Sequence, residues 1–120
     1  MKRTPERDRL HLLRMRDAAQ HAKDFVKGRD RADLDTDRLF QLALAKAVEL
    51  IGESASHISD ELRTQQPHIS WKKIIGMRHV LVHNYWRVEM DVVWDTVNND
   101  IPPLIDQMQQ LIEMDEERRK

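Results

Sequence analysis

Apolar residues recur at steps of three and four along most of this 120-residue chain, which is the spacing of amphipathic helices. The first run of them predicts a helix over residues 7–26. Pro5 suits the start of such a helix and Gly28 suits its end, because proline tolerates a first turn and glycine tolerates the conformation beyond a last turn. The apolar stripe of this helix consists of Leu12, Met15, Ala19, Ala22 and Val26.

A second, longer helix is predicted over residues 37–65, after a polar loop at residues 28–37. Its N-terminal cap is one of three residues, Asp35, Thr36 or Asp37. Its buried stripe is Phe40, Leu44, Ala47, Ile51, Ala55, Ile58 and Leu62. Gly52 is a local weakness in this helix, which close packing of another helix would explain, and Pro67 ends the helical pattern.

The second half of the chain predicts shorter segments. They are a helix over 71–83 after the capping residue Ser70, a break at 84–86, a helix over 89–97, an interruption at 101–103 and a helix over 104–114. The charged end, residues 112–120, is expected to fray. We find no repeat and no domain boundary, so residues 1–120 are predicted to form one domain.

Composition supports an all-α fold, an up-and-down bundle of four to five helices, because only 3 Gly and 4 Pro are present among many good helix formers. The absence of cysteine excludes disulfides and thiolate chemistry. No apolar run approaches the roughly 20 residues that span a bilayer, and the N-terminus does not have the pattern of a signal peptide. We therefore expect a cytoplasmic protein without a membrane partner. The net charge of −1 gives no global sign of nucleic-acid binding.

Arg78 interrupts the apolar stripe of the third predicted helix. On an unbroken helix it lies near 40°, inside an apolar arc of about 120° that contains Trp71 and Ile74. A buried arginine is costly unless it is paired or faces a wet cleft. Three interpretations stay open: an ion pair with Glu49 or Glu53, contact with a partner subunit, or a functional site.

His83 is the second chemical candidate, because a histidine exchanges protons near neutral pH. On an unbroken helix it points away from Arg78, so cooperation requires the helix to loosen before His83 or a second subunit to complete the pair. His79 and His83 also have the i, i+4 spacing of metal ligands, but no third ligand at helical spacing completes a zinc site. No metal and no cofactor is predicted. Gly-rich phosphate loops and nucleophile elbows are absent from the sequence.

Residues 78–85, RHVLVHNY, resemble the R-x4-H-x-Y signature of HepT toxins, a branch of the HEPN superfamily. The flanking sequence is similar too: residues 70–77 resemble the W-x-x-I-x-G-M approach to the motif, and residues 50–53 the I-I-G-E segment. Residues 92–97 and 100–102 resemble the V-W-x-T-V and D-L-P stretch. The resemblance extends over nearly the whole chain from about residue 9.

The resemblance implies a two-fold homodimer of helical bundles whose motifs meet in one cleft and cleave RNA without a metal. Arg78 would hold the scissile phosphate, His83 would act as general base or acid, and His79 would support them. It also implies a partner, a minimal nucleotidyltransferase antitoxin, which silences the toxin by transferring AMP to Tyr85. A larger hetero-oligomer with that antitoxin is compatible with this arrangement.

A different class of function is also compatible with these residues. Arginine and histidine grip a phosphate as well as they catalyse its transfer. The alternative is therefore a non-catalytic helical dimer that binds RNA or a nucleotide, or that serves as an adaptor for a nucleotidyltransferase.

Overall fold

Every regular element that the structure describes is helical. The computed structural model describes residues 4–79 and 87–120. Its elements are α1 (Glu6–Phe25), α2 (Asp33–Thr36), α3 (Arg38–Ser56), α4 (Asp60–Gln65), α5 (Trp71–Gly76), α6 (Arg87–Asp95), a π-helical turn (Thr96–Asp100) and α7 (Ile101–Arg119). The predicted all-α class is confirmed. The predicted break at residues 84–86 lies outside the described residues.

The bounds of α1 match the prediction to within one residue at each end. Pro5 precedes the helix with φ −54° and ψ 146°, so it does not continue the helical conformation backwards. Gly28 lies beyond the end with φ 73°, a left-handed conformation that a side chain disfavours. The predicted stripe is fully buried from Leu12 to Ala22, and Val26 packs at its edge.

The connection between α1 and α3 contains a short helix, α2, where the polar composition predicted only a loop. Of the three predicted caps, Asp37 is the one that caps α3, because its side chain accepts a hydrogen bond of 3.0 Å from the Phe40 amide. This satisfies one of the amides that the first turn of a helix leaves unpaired.

The single helix predicted over residues 37–65 is wrong, because the chain forms two helices there. α3 ends at Ser56 and α4 starts at Asp60, with Ser59 as its cap. Asp8 of α1 stabilises this break by accepting hydrogen bonds from the Ser59 amide (2.8 Å) and hydroxyl (2.6 Å). Ile58 and Leu62 are nevertheless buried as the stripe predicted, so the break changes the backbone and not the side that faces the core.

The predicted interruption at residues 101–103 lies slightly earlier in the structure. The π-helical turn Thr96–Asp100 follows α6, and α7 then starts at Ile101 with its two prolines in the first turn. Proline lacks an amide hydrogen, which costs nothing where the helix has no acceptor for it. The irregular geometry therefore ends where the prolines begin.

The predicted fraying of the charged end, residues 112–120, is also wrong, because α7 continues to Arg119. Asp115 is 1% exposed and accepts hydrogen bonds from the Thr4 amide (2.7 Å), Arg9 (2.8 Å) and Arg119 (2.6 Å). Burial alone would raise the pKa of Asp115, but these hydrogen bonds outweigh it and lower the pKa to about 2. This cluster fastens the end of α7 to the start of α1.

The core lies around α1, which packs along both α3 and α7. Its fully buried members include Leu12, Met15, Leu34, Leu44, Ile51, Met90, Ile101, Met108 and Ile112. α5 packs against the C-terminal half of α3, at Gly52. No helix in the described stretches is both long and apolar enough to cross a bilayer.

Candidate functional site

The first turn of α5 is anchored by its own apolar side chains. Trp71 and Ile74 are buried, and the Trp71 indole nitrogen donates a hydrogen bond of 3.0 Å to the Gln66 carbonyl. Lys72 and Lys73 lie between them in the same turn and are exposed to solvent. Two cations therefore lie on the outer side of a helix whose inner side is fixed.

The end of α5 lies directly against the backbone of α3 at Gly52. A Cβ atom on Gly52 would be 2.4 Å from the Arg78 amide nitrogen, 3.1 Å from the Arg78 Cα and 3.0 Å from the Ile75 carbonyl oxygen. Real Cβ atoms essentially never come within 3.0 Å of such atoms, so only glycine allows this approach. The prediction that another helix packs closely at Gly52 is confirmed, and the segment that packs there carries Arg78.

The backbone tightens between Met77 and His79. The amides of Met77, Arg78 and His79 donate to carbonyls three residues earlier, at 3.0, 3.2 and 3.0 Å. This is the spacing of a 3₁₀ turn and not of an α-helix. The helix predicted over residues 71–83 therefore ends at Gly76, and a rotation of 100° per residue no longer applies at Arg78.

Arg78 is half-buried, and it is not sealed inside the core as an unbroken apolar stripe would require. Neither predicted carboxylate pairs with it: Glu49 is 3.4 Å from the Lys46 ammonium, and Glu53 is 3.2 Å from the His57 ring. The ion-pair interpretation of Arg78 is therefore wrong for these two acids.

The Arg78 side chain donates from Nε to the Nε2 atom of His79 at 3.1 Å. A ring nitrogen that accepts a hydrogen bond carries no proton, so a neutral His79 in this contact has its proton on Nδ1. Among the described residues, the two terminal nitrogens of the Arg78 guanidinium have no partner. Those nitrogens form the two-pronged donor that matches a phosphate or carboxylate.

Two of the predicted site residues, His83 and Tyr85, lie outside the described residues, which end at His79 and resume at Arg87. The pairing of Arg78 with His83 stays a prediction, and so does the metal pair formed by His79 and His83. Within the described stretches, no three His, Asp or Glu residues are placed to hold a metal ion.

One further cation of α5 was not singled out from the sequence. Lys73 extends from α5 to Asp100 of the π-helical turn, with 3.2 Å between its ammonium and the carboxylate. Lys73 precedes Arg78 by five residues, and this spacing does not place two residues on one face of a helix. The spacing therefore does not associate these two cations.

The fold and this arginine together define a small all-helical protein with a cationic site at the end of a short helix. A family model described as ribonuclease HepT-like matches residues 15–111. The chain therefore belongs to the HepT-like ribonuclease family, which assigns it to the ribonucleases.

Three relatives illustrate the similarity. A candidate RNase of Methanocaldococcus jannaschii is 27% identical over 88 residues, which are 73% of this chain and 81% of that protein. A candidate ribonuclease HepT of Thermococcus cleftensis is 32% identical over 94 residues, covering 78% of this chain and 86% of its own length. A candidate RNase of Caldanaerobacter subterraneus is 32% identical over 88 residues, covering 73% and 79%. No solved structure matches this chain significantly.

Proposed function

We propose that this protein is the toxin of a toxin–antitoxin system and a metal-independent endoribonuclease that acts through the R-x4-H-x-Y motif. The observation that carries the proposal is the state of Arg78, whose backbone is held against Gly52 while its terminal nitrogens have no partner among the described residues. An arginine placed in this way can bind an RNA phosphate without first breaking an internal ion pair.

The proposed reaction uses the RNA itself as the nucleophile. The ribose 2′-hydroxyl attacks the adjacent phosphorus, the P–O5′ bond breaks, and the products carry a 2′,3′-cyclic phosphate and a 5′-hydroxyl. His83 serves as the general base for the 2′-hydroxyl proton or as the acid that protonates the leaving oxygen. Arg78 neutralises the charge that develops on the phosphate oxygens.

His79 has a supporting role in this proposal. Its contact with Nε of Arg78 restrains the guanidinium and leaves the two terminal nitrogens directed elsewhere. Replacing His79 would remove the acceptor that holds Nε of Arg78 in place. Loss of this histidine should therefore weaken RNA binding more than it changes the chemical step.

A homodimer is part of the proposal. Large apolar side chains are exposed on the outer side of α3, where Leu39 is 78%, Leu42 41% and Leu50 43% exposed. Uncovered apolar surface of this kind is typical of a subunit interface, and a two-fold dimer uses the same surface from both copies. Light scattering at micromolar concentration should give twice the chain mass of 14.3 kDa. A monomer throughout that range would rule out a cleft shared by two motifs.

Control by an antitoxin completes the proposed function. A minimal nucleotidyltransferase would transfer AMP from ATP to the Tyr85 hydroxyl, releasing pyrophosphate. Each transfer adds a negatively charged group beside a cationic site, where it can compete with the RNA phosphate for Arg78. A larger assembly in which the antitoxin serves both toxin subunits requires that both copies of Tyr85 are accessible to it. The number of AMP masses added to the dimer measures this.

The decisive experiment measures RNA cleavage by purified Arg78→Ala, His83→Ala and Lys72→Ala proteins. The first two should lose activity, while Lys72→Ala, which removes an exposed cation from α5, should lose little. Arg78→Lys should recover only part of the rate, since lysine lacks the planar pair of donors. Cleavage should continue in chelator and leave a cyclic phosphate end.

The same experiment separates the enzyme from the binding module. A dimer that binds RNA tightly but releases no cyclic phosphate would support the non-catalytic alternative. Loss of cleavage in chelator would revive the metal pair of His79 and His83.

A further inference from the structure

A pocket of about 170 Å³ lies between α5 and the beginning of α7. Its floor is apolar and consists of the buried side chains of Ile74, Met77 and Leu104. A volume of this size equals that of about six water molecules in the liquid, which is more than a single bound ion requires. The pocket therefore suits a small organic group with at least one flat or apolar face.

Three polar side chains line the wall of the pocket, those of Ser70, Asn99 and Gln107. Within the described part of the chain, none of them forms a side-chain hydrogen bond to another residue. Asn99 belongs to the π-helical turn, a rare geometry that is frequent at functional sites. The side-chain amides each offer both a donor and an acceptor to whatever occupies the pocket.

An ion pair at the pocket helps to define the ligand. Lys73 and Asp100 both line it, 3.2 Å apart. A phosphate would meet the Asp100 carboxylate and an apolar floor, and both disfavour an anion. A nucleobase fits better, because its face can lie on the apolar floor while its edge pairs with amides and a carboxylate. Lys73 stays in its ion pair with Asp100 in this arrangement.

The position of the pocket connects it to the proposed cleavage site. Met77 forms part of the floor, and the next residue is Arg78. We propose that the pocket binds one unstacked base of single-stranded RNA, in a nucleotide that flanks the phosphate held by Arg78, and that it gives cleavage a base preference. This inference rests on the proposed ribonuclease function for its connection with cleavage, and on the pocket alone for base binding.

Substitution of the two amides tests the preference. RNA of random sequence is cut by the parent, Asn99→Ala and Gln107→Ala, and the new ends are sequenced. The parent should favour one base at a fixed position beside the cut, and each variant should lose that preference and raise KM about tenfold, the effect of one hydrogen bond of ordinary strength. The kcat values should change much less, because the amides do not touch the reacting atoms.

Two matched controls come from the same elements. Asn98 neighbours Asn99 in the π-helical turn, but its amide donates to the Trp94 carbonyl at 2.8 Å. Gln110 lies on α7, exposed and away from this pocket. Asn98→Ala and Gln110→Ala should keep the preference and KM of the parent. A preference that survives in both pocket variants would overturn the proposal while leaving the ribonuclease function intact.

A second readout does not depend on cleavage. The side-chain amide resonances of Asn99 and Gln107, assigned from the two alanine variants, are followed by NMR while each of the four nucleoside 3′-monophosphates is added. One or two of the bases should shift both resonances, and ribose 5-phosphate should not. If the protein fails to cleave RNA but the resonances shift, base binding stands and the ribonuclease proposal fails. If no nucleotide shifts them, the pocket is not a base site.

Discussion

The substitution Gly52→Ala should damage the site far more than the fold. A new Cβ atom would lie 2.4 Å from the Arg78 amide nitrogen, whereas ordinary contacts begin at 3.4 Å, so the two backbones have to separate by about 1 Å. All three nearest atoms belong to the backbone of α5 and the turn after it, so no flexible side chain can move aside instead. Arg78 must therefore move with its backbone.

The expected loss of stability is small because two effects oppose each other. Overpacking of this kind costs about 1–3 kcal/mol, while replacing glycine by alanine inside a helix gains up to about 1 kcal/mol. The net loss should lie between about 0 and 3 kcal/mol. A displacement of about 1 Å at a catalytic group can reduce the rate by about 100-fold, so kcat/KM should fall much more than the free energy of unfolding.

The other two glycines supply matched controls for this prediction. A Cβ on Gly76 meets nothing within 4 Å, so Gly76→Ala should preserve activity and stability. A Cβ on Gly28 also meets nothing, but its φ of 73° is strained for alanine, so Gly28→Ala should lose about 1 kcal/mol while retaining activity. Urea unfolding gives the stabilities, and RNA cleavage at a temperature where every variant is folded gives the activities.

If Gly52→Ala cleaves RNA within about threefold of the parent rate, the close approach at Gly52 does not position Arg78 for catalysis. A rate that falls only in proportion to the unfolded fraction would likewise assign Gly52 a purely structural role. A double variant with Gly28→Ala should show independent effects, because Gly28 has no contact with the α3–α5 approach.

Two buried titratable groups and the motif tyrosine carry the remaining predictions. The pKa of Asp115 is lowered from 3.8 to about 2, so its ionised form should add about 2 kcal/mol to the free energy of unfolding above pH 3.8, and this stability should be lost as the pH falls towards 2. In urea unfolding at several pH values, Asp115→Asn should show a smaller loss of stability in acid. An acid profile equal to that of the parent would contradict this role of Asp115. Burial, and after it the nearby His57, holds the pKa of His11 below 6.5, so the free energy of unfolding should decrease as the pH falls below 6.5. The substitution His57→Gln should make this decrease smaller. An equal dependence of stability on pH in the variant and the parent would show that His57 does not affect His11. Tyr85→Phe should remain an active ribonuclease but gain no AMP mass from the nucleotidyltransferase and ATP, and modification at the parent level would exclude Tyr85 as the acceptor.

Local signals were sufficient for α1 and for the start of α3. A clear stripe, a proline before it and a glycine after it determine the bounds of α1 to within one residue. Asp37 was among the predicted caps because an acidic side chain before a helical stripe satisfies an unpaired amide. These features depend on neighbours in the sequence, so the sequence contains the information that predicts them.

Tertiary contacts explain the two largest errors. The stripe continues in phase through Ile58 and Leu62, so nothing in its spacing reveals the break between α3 and α4. That break is stabilised by Asp8, 51 residues away from Ser59 in the sequence. The charged end looked solvated for a similar reason, because the partners of Asp115 include residues at the opposite end of the chain.

The site itself was predictable in composition but not in geometry. Arg78 stands out in the sequence because it interrupts an apolar stripe, and Gly52 because it interrupts a helix, yet neither pattern indicates that the two meet. The structure joins them through a helix that ends at Gly76 and a 3₁₀ turn that carries Arg78 onto the α3 backbone. The cost of burying an arginine in a continuous stripe never arises, because the helix ends before Arg78 and leaves it half-buried. The close contact at Gly52 thus positions the Arg78 backbone, while its two terminal nitrogens have no partner within residues 4–79 and 87–120.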